Sequence, residues 1–452
     1  MGAYTYRQAA DQAWTRITNL TNYGQYTVYS GFDINGFWHQ ANALLTCLDY
    51  LLNTNQQDNL LTNQQDKSIV KNAIQWVFVQ HLFNATYKDK LWPSDPSNPN
   101  WPLYPWDPSH QIDFSQLTPI WTAAGMSGDG PWLDDFGWWG LALQKAYENA
   151  GALGYDQPFS KLLLTMADAC WEALRGSWDS INGGAYNSQA IDPKTGTPVA
   201  LTGKNCVTNE TLWLLSQCLH LSDPDQPKYV DQNVLSQNWF LKAYQNGNLL
   251  SKDNLVLERP KDIPNGMYPP NWTWIGDQGL FISACTGSIG AGGDDLSDLV
   301  RQVQAAVQSQ LRDSVHVIHD HNVPILFTQY TLDYATGKGI YLRCMWPQQE
   351  FLPNATYVWG TCKAAPTTPF PEPDPLTQKF QFCFNWNPKG RPYGPNPNDG
   401  EPDYLPYDDK NIATLRFSLL ILQVAGMAAL NVGVKIAPDQ PIPPAIGTTF
   451  SA

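Results

Sequence analysis

The sequence predicts an all-α protein built as a toroid of helical hairpins. Three observations carry this. Apolar residues recur at helical spacing through most of the chain. Strand signals are few. Helices alternate with loops at roughly 40 to 60 residues per pair, the rhythm of helical-hairpin repeats. No repeat is exact in sequence, so this is not a consensus solenoid. A ring that closes on itself suits 452 residues as one unit spanning 1–452. In such a ring the loops at one end converge and can build a site.

Taken in order, the first helix shows in Trp14, Ile17 and Leu20, and the second in the stripe Phe37, Ala41, Leu44, Leu45, Leu48 and Leu51. Further helices read at 66–83, 132–150, 159–175, 204–220, 229–245, 277–287, 294–317, 338–346 and 408–431. Polar or Pro-rich loops fall at 92–119, 176–203, 251–272 and 347–407. The best strand candidates are Val315–Ile318 and Ile325–Phe327. The stretch 347–407 is rich in Pro, but it also holds Trp359, Phe380, Phe382, Phe384 and Trp386, too many aromatics for a solvated tether. It reads as a long surface excursion, after which the helix Asn411 to Leu430 closes the ring.

Composition narrows the function. Hydrophobic residues make up 43% and charged residues 15%, so the chain buries a large core. A formal net charge of −14 without a cluster of Lys and Arg argues against a nucleic-acid partner. No apolar run reaches the roughly 18 to 20 residues of a membrane span. The 19 Trp, 21 Tyr and 17 Phe, interleaved with Asp, Asn and Gln, suit a carbohydrate site. Pyranose faces stack on aromatic planes while carboxylates and amides bind the hydroxyls. Cys170, Cys206, Cys218 and Cys285 lie in predicted helices as small buried residues, and a disulfide can be drawn among Cys344, Cys362 and Cys383. The start Met1-Gly2-Ala3-Tyr4 has no basic and then apolar leader, which fits either the cytosol or a chain beginning after a cleaved signal.

The sharpest motif is Gly130-Pro131-Trp132-Leu133-Asp134-Asp135-Phe136-Gly137-Trp138-Trp139-Gly140. Two adjacent carboxylates in an apolar, Trp-rich setting cannot both ionise easily, because desolvation and like-charge repulsion oppose it. One becomes a proton donor and the other stays an anion, which is the pair that glycoside cleavage needs. Neighbours on a helix diverge by about 100°. Their carboxyls can still sit roughly 5 to 6 Å apart, in the range of retaining enzymes. The plainer reading of an Asp pair is a helix cap favouring the positive end.

This segment is similar to the catalytic stretch of glycoside hydrolase family 76, the endo-α-1,6-mannanases, which includes fungal cell-wall mannan transglycosidases of the Dfg5 and Dcw1 type. Other segments resemble the family in the same order: Phe37-Trp38-His39-Gln40-Ala41-Asn42, Asn182-Gly183-Gly184-Ala185-Tyr186, Lys204-Asn205 with Asn209, Trp274-Ile275-Gly276-Asp277-Gln278-Gly279, and Gly337-Lys338-Gly339-Ile340 with Arg343. The resemblance covers roughly residues 5 to 430. It implies an (α/α)6 barrel, a retaining mechanism with Asp134 as nucleophile and Asp135 as general acid/base, and an extracellular or cell-surface setting. It implies no cofactor and no metal. Substrate contacts are expected from Trp38, Trp132, Trp138, Trp139, Tyr186, Lys204, Asn205, Trp274, Asp277 and Gln278. Trp132, Trp138, Trp139 and Trp274 should cluster at one end of the ring, with one of the adjacent Trp138 and Trp139 free to be core. The chain departs from the family in Ala185-Tyr186, where a Trp pair is usual, in the extra acid Glu210, and in the length of 347–407.

Lesser candidates have competing explanations. Asp277 and Gln278 suit sugar hydroxyls or a helix start. Lys204 and Asn205 suit a site-supporting role or a cap. His316, His319 and His321 have the density of a metal site but lack a converging fourth ligand and an H-E-x-x-H pattern, so a solvated turn is the better reading. The leading function is hydrolysis of α-mannan-type glycans by an endo-α-1,6-mannanase, with mannan transglycosylation as its near alternative. A sugar epimerase on a similar ring would rely on His, and none of the seven His lies in the strongest motif. A non-catalytic glycan-binding barrel would carry the same stacking aromatics.

Overall fold

The structure, a computed structural model, describes residues 4–21, 37–58, 133–191, 198–263, 272–320, 331–345, 348–360 and 412–443. Its helices are α1 (Tyr6–Thr21), α2 (Phe37–Asp58), α3 (Leu133–Glu148), α4 (Ala150–Leu153), α5 (Gln157–Gly176), α6 (Cys206–Ser222), α7 (Pro227–Gln245), α8 (Ile275–Ser288), α9 (Ser297–Gln310), α10 (Thr331–Cys344), α11 (Leu352–Gly360) and α12 (Ile412–Ile436). Between α5 and α6 lies an antiparallel hairpin of β1 (Ser188–Ile191) and β2 (Pro198–Thr202), with Ser188 opposite Thr202.

Six of these helices form a closed ring. α2 packs on α3, α3 on α6, α6 on α8, α8 on α10, α10 on α12, and α12 returns to α2. A second layer lies outside it: α1 and α11 against α12, α5 against α3 and α6, α7 against α6, and α9 against α8. This is the (α/α)6 barrel. α6 shows why the sequence forms it, being buried on nearly every side from Cys206 to Leu219. A helix covered all round belongs at the centre of a packed structure. Where α3 crosses α6, Gly137 and Gly140 lie one turn apart against Thr211 and Leu215, and a Cβ at either glycine would collide with those side chains.

Two buried tryptophans are paired across the inner and outer layers, because an unpaired buried donor costs free energy. Trp171 Nε1 donates to Ser216 Oγ at 2.7 Å and Trp213 Nε1 to Asn233 Oδ1 at 2.7 Å. Closure between the last and first inner helices is polar as well. From α10, Arg343 donates to Asn42 Oδ1 (2.9 Å), Thr46 Oγ1 (2.6 Å) and Asp49 Oδ2 (3.1 Å) on α2, while Asn431 on α12 donates to the Thr46 carbonyl at 3.0 Å. The outer layer is tied down by Tyr6 on α1, whose hydroxyl meets Thr356 Oγ1 of α11 at 2.8 Å.

Several expectations change. The loop read over 176–203 contains the β1–β2 hairpin, and α10 begins at Thr331, seven residues before 338. The region read as an excursion from 347 begins with a 3-10 turn (Gln349–Phe351) and α11, fixed by Asn354, which accepts from Ile318 N at 2.9 Å and donates to Phe351 O at 3.1 Å. The remainder to 407 lies outside the described residues, as do the helix read at 66–83, the strand candidate Ile325–Phe327 and His321. Val315–Ile318 is no strand but a turn closed by one Arg312–Ile318 bridge, with His316 in the left-handed region. Cys344 is a free thiol, so it forms no disulfide with Cys362 or Cys383.

Candidate active site

The starts of α2, α3, α8 and α10 meet at one end of the ring. α2 supplies Trp38 and His39, α3 supplies Asp134 and Asp135, and α10 supplies Asp333. Trp274 caps the start of α8. Trp38 is the hub: its ring stacks on Trp138 with centroids 5.9 Å apart, meets Trp274 edge-on at 6.1 Å, and contacts the His39 ring at 3.8 Å. Trp274 Nε1 donates to the Asp333 carbonyl at 3.0 Å, and His39 Nε2 stands 3.6 Å from Asp333 Oδ1. Burial holds the His39 pKa down to about 3, so the imidazole is neutral and polarises Asp333 without adding charge.

The two adjacent aspartates differ. Asp135 is 4% exposed, whereas Asp134 is only half-buried. Burial raises the Asp134 pKa to about 6, offset by a backbone hydrogen bond and by the Arg259 guanidinium. Burial also drives Asp135 well above the usual carboxylate range, with the charges of Asp134 and Asp333 adding to it. Asp134 therefore ionises first and Asp135 keeps its proton. One oxygen of Asp134, Oδ1, has no hydrogen-bond partner. A buried carboxylate oxygen left in that state is the kind of exception that marks function.

Two acids that the sequence reading passed over, Asp333 and Glu258, complete the field. Asp333 is pushed up to about 8 by burial and then by the charges of Asp134 and Glu258. Its side chain is nevertheless 36% exposed, so it sits deep but reachable, as a group on the floor of an open cup would. Glu258 precedes Arg259 in the segment leading to α8, pairing with it at 3.2 Å and accepting from Asn205 Nδ2 at 3.1 Å. Burial raises Glu258 to about 7 against the lowering pull of Arg259. Behind these, Glu210 and Asp277 are fully buried. Burial raises both; the Asp277 charge raises Glu210 further and the Glu258 charge raises Asp277, while no group beyond the pair donates to any of their four oxygens.

The candidates from sequence separate into three groups. Asp134, Asp135, Trp38 and Trp274 meet at the mouth of the ring. Trp138 and Trp139 are fully buried, so Trp138 supports Trp38 from behind and neither offers a face to a sugar. Asn205, Asp277 and Gln278 are likewise sealed from solvent. Asn205 caps α6 by accepting from Thr208 N at 3.2 Å. Gln278 bridges Val256 in both directions, at 2.8 and 2.9 Å, and also donates to Trp274 O at 3.0 Å. These three act as supports, a correction to the expectation that they touch substrate. Tyr186 and Lys204 form a separate cluster around Asp179: Lys204 Nζ donates to Asp179 Oδ2 (2.8 Å) and Gly183 O (2.7 Å), and Tyr186 Oη donates to Asp179 Oδ2 at 3.1 Å. Trp132 lies outside the described residues.

Asp333, Glu258 and Arg259 left only faint traces in the sequence. Leu332-Asp333 repeats the Leu-Asp step of Leu133-Asp134, and Glu258-Arg259 is an isolated ion pair in a Pro-rich loop.

No protein-family model and no curated protein matches this sequence. Solved structures do match its fold. An α-1,6-mannanase from Salegentibacter sp. HEL1_6, as an inactive variant with two consecutive aspartates replaced by asparagine and in complex with α-1,6-mannotriose, superposes with a TM-score of 0.56 at 15% identity, covering 95% of this chain and 99% of that one. Dfg5 from Chaetomium thermophilum, in complex with glucosamine, gives 0.58 at 13% identity over 99% and 95%. The Lin0763 protein from Listeria innocua gives 0.56 at 16% identity over 96% and 97%. The chain thus has the (α/α)6 fold of glycoside hydrolase family 76 structures.

Proposed function

We propose that this protein is a retaining glycoside hydrolase acting on α-mannan-type glycans, most specifically an endo-α-1,6-mannanase. The observation that carries the reading is the asymmetric pair: a half-buried carboxylate with an unpartnered oxygen, Asp134, beside a buried acid that holds its proton, Asp135. That division supplies a nucleophile and a general acid from neighbouring residues. Asp135 protonates the glycosidic oxygen as the bond breaks, and Asp134 attacks the anomeric carbon, forming a glycosyl-enzyme. Asp135, now an anion, deprotonates the water that releases the sugar. Arg259 favours the Asp134 anion in the free enzyme.

Half-buried Trp38, backed edge-on by the buried Trp274, gives the sugar an aromatic face, and Asp333 with neutral His39 gives its hydroxyls a polar floor. The choice of α-1,6-mannan draws on the Salegentibacter enzyme, whose inactive variants lack two consecutive aspartates and hold α-1,6-mannotriose. Dfg5 in the same fold keeps transfer to a second sugar as the near alternative. Release of reducing ends from α-1,6-mannan, with the product anomer followed by NMR, tests the reading. An α product first supports retention; a β product, or no release, rejects it. No helix among the described residues is long and apolar enough to cross a membrane.

A further inference from the structure

The first turn of α3 carries Asp134 and Asp135, and a first helical turn has no intrahelical partners for its amides. The Leu133 N–H, directly before the pair, donates to the Asn187 carbonyl at 2.8 Å. That carbonyl ends a three-residue strap, Ala185 to Asn187, which runs from the loop after α5 into β1.

Every backbone N–H and carbonyl of the strap has a partner. Asn209 of α6 holds Ala185 in both directions, accepting from its N–H at 2.6 Å and donating to its carbonyl at 3.0 Å. Ser177, at the end of α5, holds Tyr186. Its carbonyl accepts from Tyr186 N at 3.2 Å, and its hydroxyl, shared with Leu174 O, reaches Tyr186 O at 3.2 Å. Asn187 N donates to the Gly203 carbonyl at 2.9 Å. A strap so fully bonded has one backbone geometry, and it offers the start of α3 a fixed acceptor.

The weakest anchor is the last one. Gly203 lies at the base of the β1–β2 hairpin in the left-handed region, with φ of 64°. A two-stranded hairpin is marginal by itself, so it cannot fix the Asn187 carbonyl alone. The Asn187 side chain supplies what the hairpin lacks. Its Oδ1 accepts from Thr208 Oγ1, in the first turn of α6, at 2.8 Å. Asn187 is 4% exposed and Thr208 0%, so neither meets a substrate, and water does not compete for their bond. On the opposite side the Trp38 backbone amide of α2 bonds the Asp135 carboxyl. The carboxyl pair is thus held between α2 and the strap.

We propose that Asn187 is a positioning residue, which acts through Thr208 to hold the start of α3 and so keeps Asp134 and Asp135 in place at the bond being cleaved. The cleavage rests on the function proposed above, while the hold on α3 rests on the hydrogen bonds alone.

The test compares Thr208→Val, Asn187→Ala and their double variant with Thr208→Ser, all in the full chain. Amide hydrogen exchange at Leu133 should quicken by about tenfold in either of the first two, with the last two turns of α3 unchanged. On α-1,6-mannan their kcat should fall by about tenfold with KM within about twofold, because a small displacement of a reacting group costs rate and not binding. Thr208→Ser keeps the donor and should stay within about twofold of the parent in exchange and in kcat. The double variant should be no slower than the worse single, since both changes break one bond. Leu133 exchange at the parent's rate in both single variants overturns the proposal. So does a Thr208→Ser as damaging as Thr208→Val, or faster exchange with kcat unchanged. A parent that leaves mannan uncut removes the mannanase reading, and exchange at Leu133 then decides the hold on α3 by itself. A parent that cleaves mannan, with exchange insensitive to both changes, removes the positioning role alone.

Discussion

Two pairs of carboxyls lie at one end of this ring, close enough to influence each other's protons, yet they are built for opposite conditions. Asp134 of the first pair is partly open to solvent, and a cation biases which of the two ionises first. Glu210 and Asp277 are 0% exposed, and burial raises both well above the usual carboxylate range. Proximity to the centre and a raised pKa are common to both pairs, so neither feature identifies a catalytic acid. Access and inequality do: a glycosidase needs two carboxyls that reach the substrate and disagree about their proton.

The largest expected effect comes from destroying the open pair. Asp134→Asn should abolish turnover of every substrate, since no glycosyl-enzyme can form. Asp135→Ala should slow mannan cleavage by about 10² to 10⁴ while costing much less on an aryl mannoside, whose leaving group needs little protonation. Steady-state rates on the two substrates check this. Equal losses on both would remove the acid role from Asp135.

Asp333 sharpens the comparison from between the pairs. Its pKa near 8 leaves it protonated at neutral pH, so an amide mimics it. Asp333→Asn should retain most activity, and Asp333→Ala should lower kcat/KM by roughly tenfold through lost hydroxyl bonding. If the amide is as damaging as alanine, Asp333 works as an anion and belongs with the catalytic pair.

The closed pair should respond in stability instead. A carboxyl whose folded pKa is raised contributes stability that is complete below its unfolded pKa, about 4.3 for Glu. That stability is lost as pH rises toward the folded value, because the unfolded chain releases a proton the native state must keep. Glu210→Gln removes this penalty, so its melting temperature should exceed that of the parent by about 2 to 4 °C near pH 7 and converge with it near pH 4. Thermal unfolding across that range is the measurement, and a lower melting temperature at pH 7 would show that Glu210 is held ionised.

The sequence made the open pair legible and hid the closed one. Asp134-Asp135 announces itself because adjacent acids among three Trp residues are rare in a core. Helices with one wet face were equally clear, as the Leu299, Val303, Ala306 and Val307 stripe of outer helix α9 shows. Inner helices covered on both faces lose that stripe. α10 opens with Thr331, Asp333, Thr336 and Gly337, and Gly337 packs on Trp274 while Gly339 packs on Ala425 and Ala428, so its first turn carries no apolar period. The supporting roles of Asn205 and Gln278 depend on Glu258 and Val256, partners 53 and 22 residues away, which no local pattern encodes.

The smallest expected effect lies in the residue that links the two pairs. Glu258 faces Asp134 on one side and Asp277 on the other, and Asp333 also senses it; Arg259 and Asn205 bind it directly. With its pKa near 7, Glu258 begins to gain its negative charge while Asp134, near 6, is still ionising, so the two titrations overlap. That charge occupies Arg259 and opposes the Asp134 anion. Glu258→Gln keeps the Asn205 contact and removes the charge, so Asp134 should ionise more readily. The acid limb of kcat/KM against pH should then move to lower pH by roughly half a unit, a size suited to a screened charge at this depth. The alkaline limb, set by the proton on Asp135, should move far less, since Asp135 responds to Asp134 and Asp333 and not to Glu258. A shift of both limbs together would mean that Glu258 acts on the fold of the site, and an acid limb that moves upward would show that Glu258 is neutral throughout and that Arg259 serves Asp134 only through it.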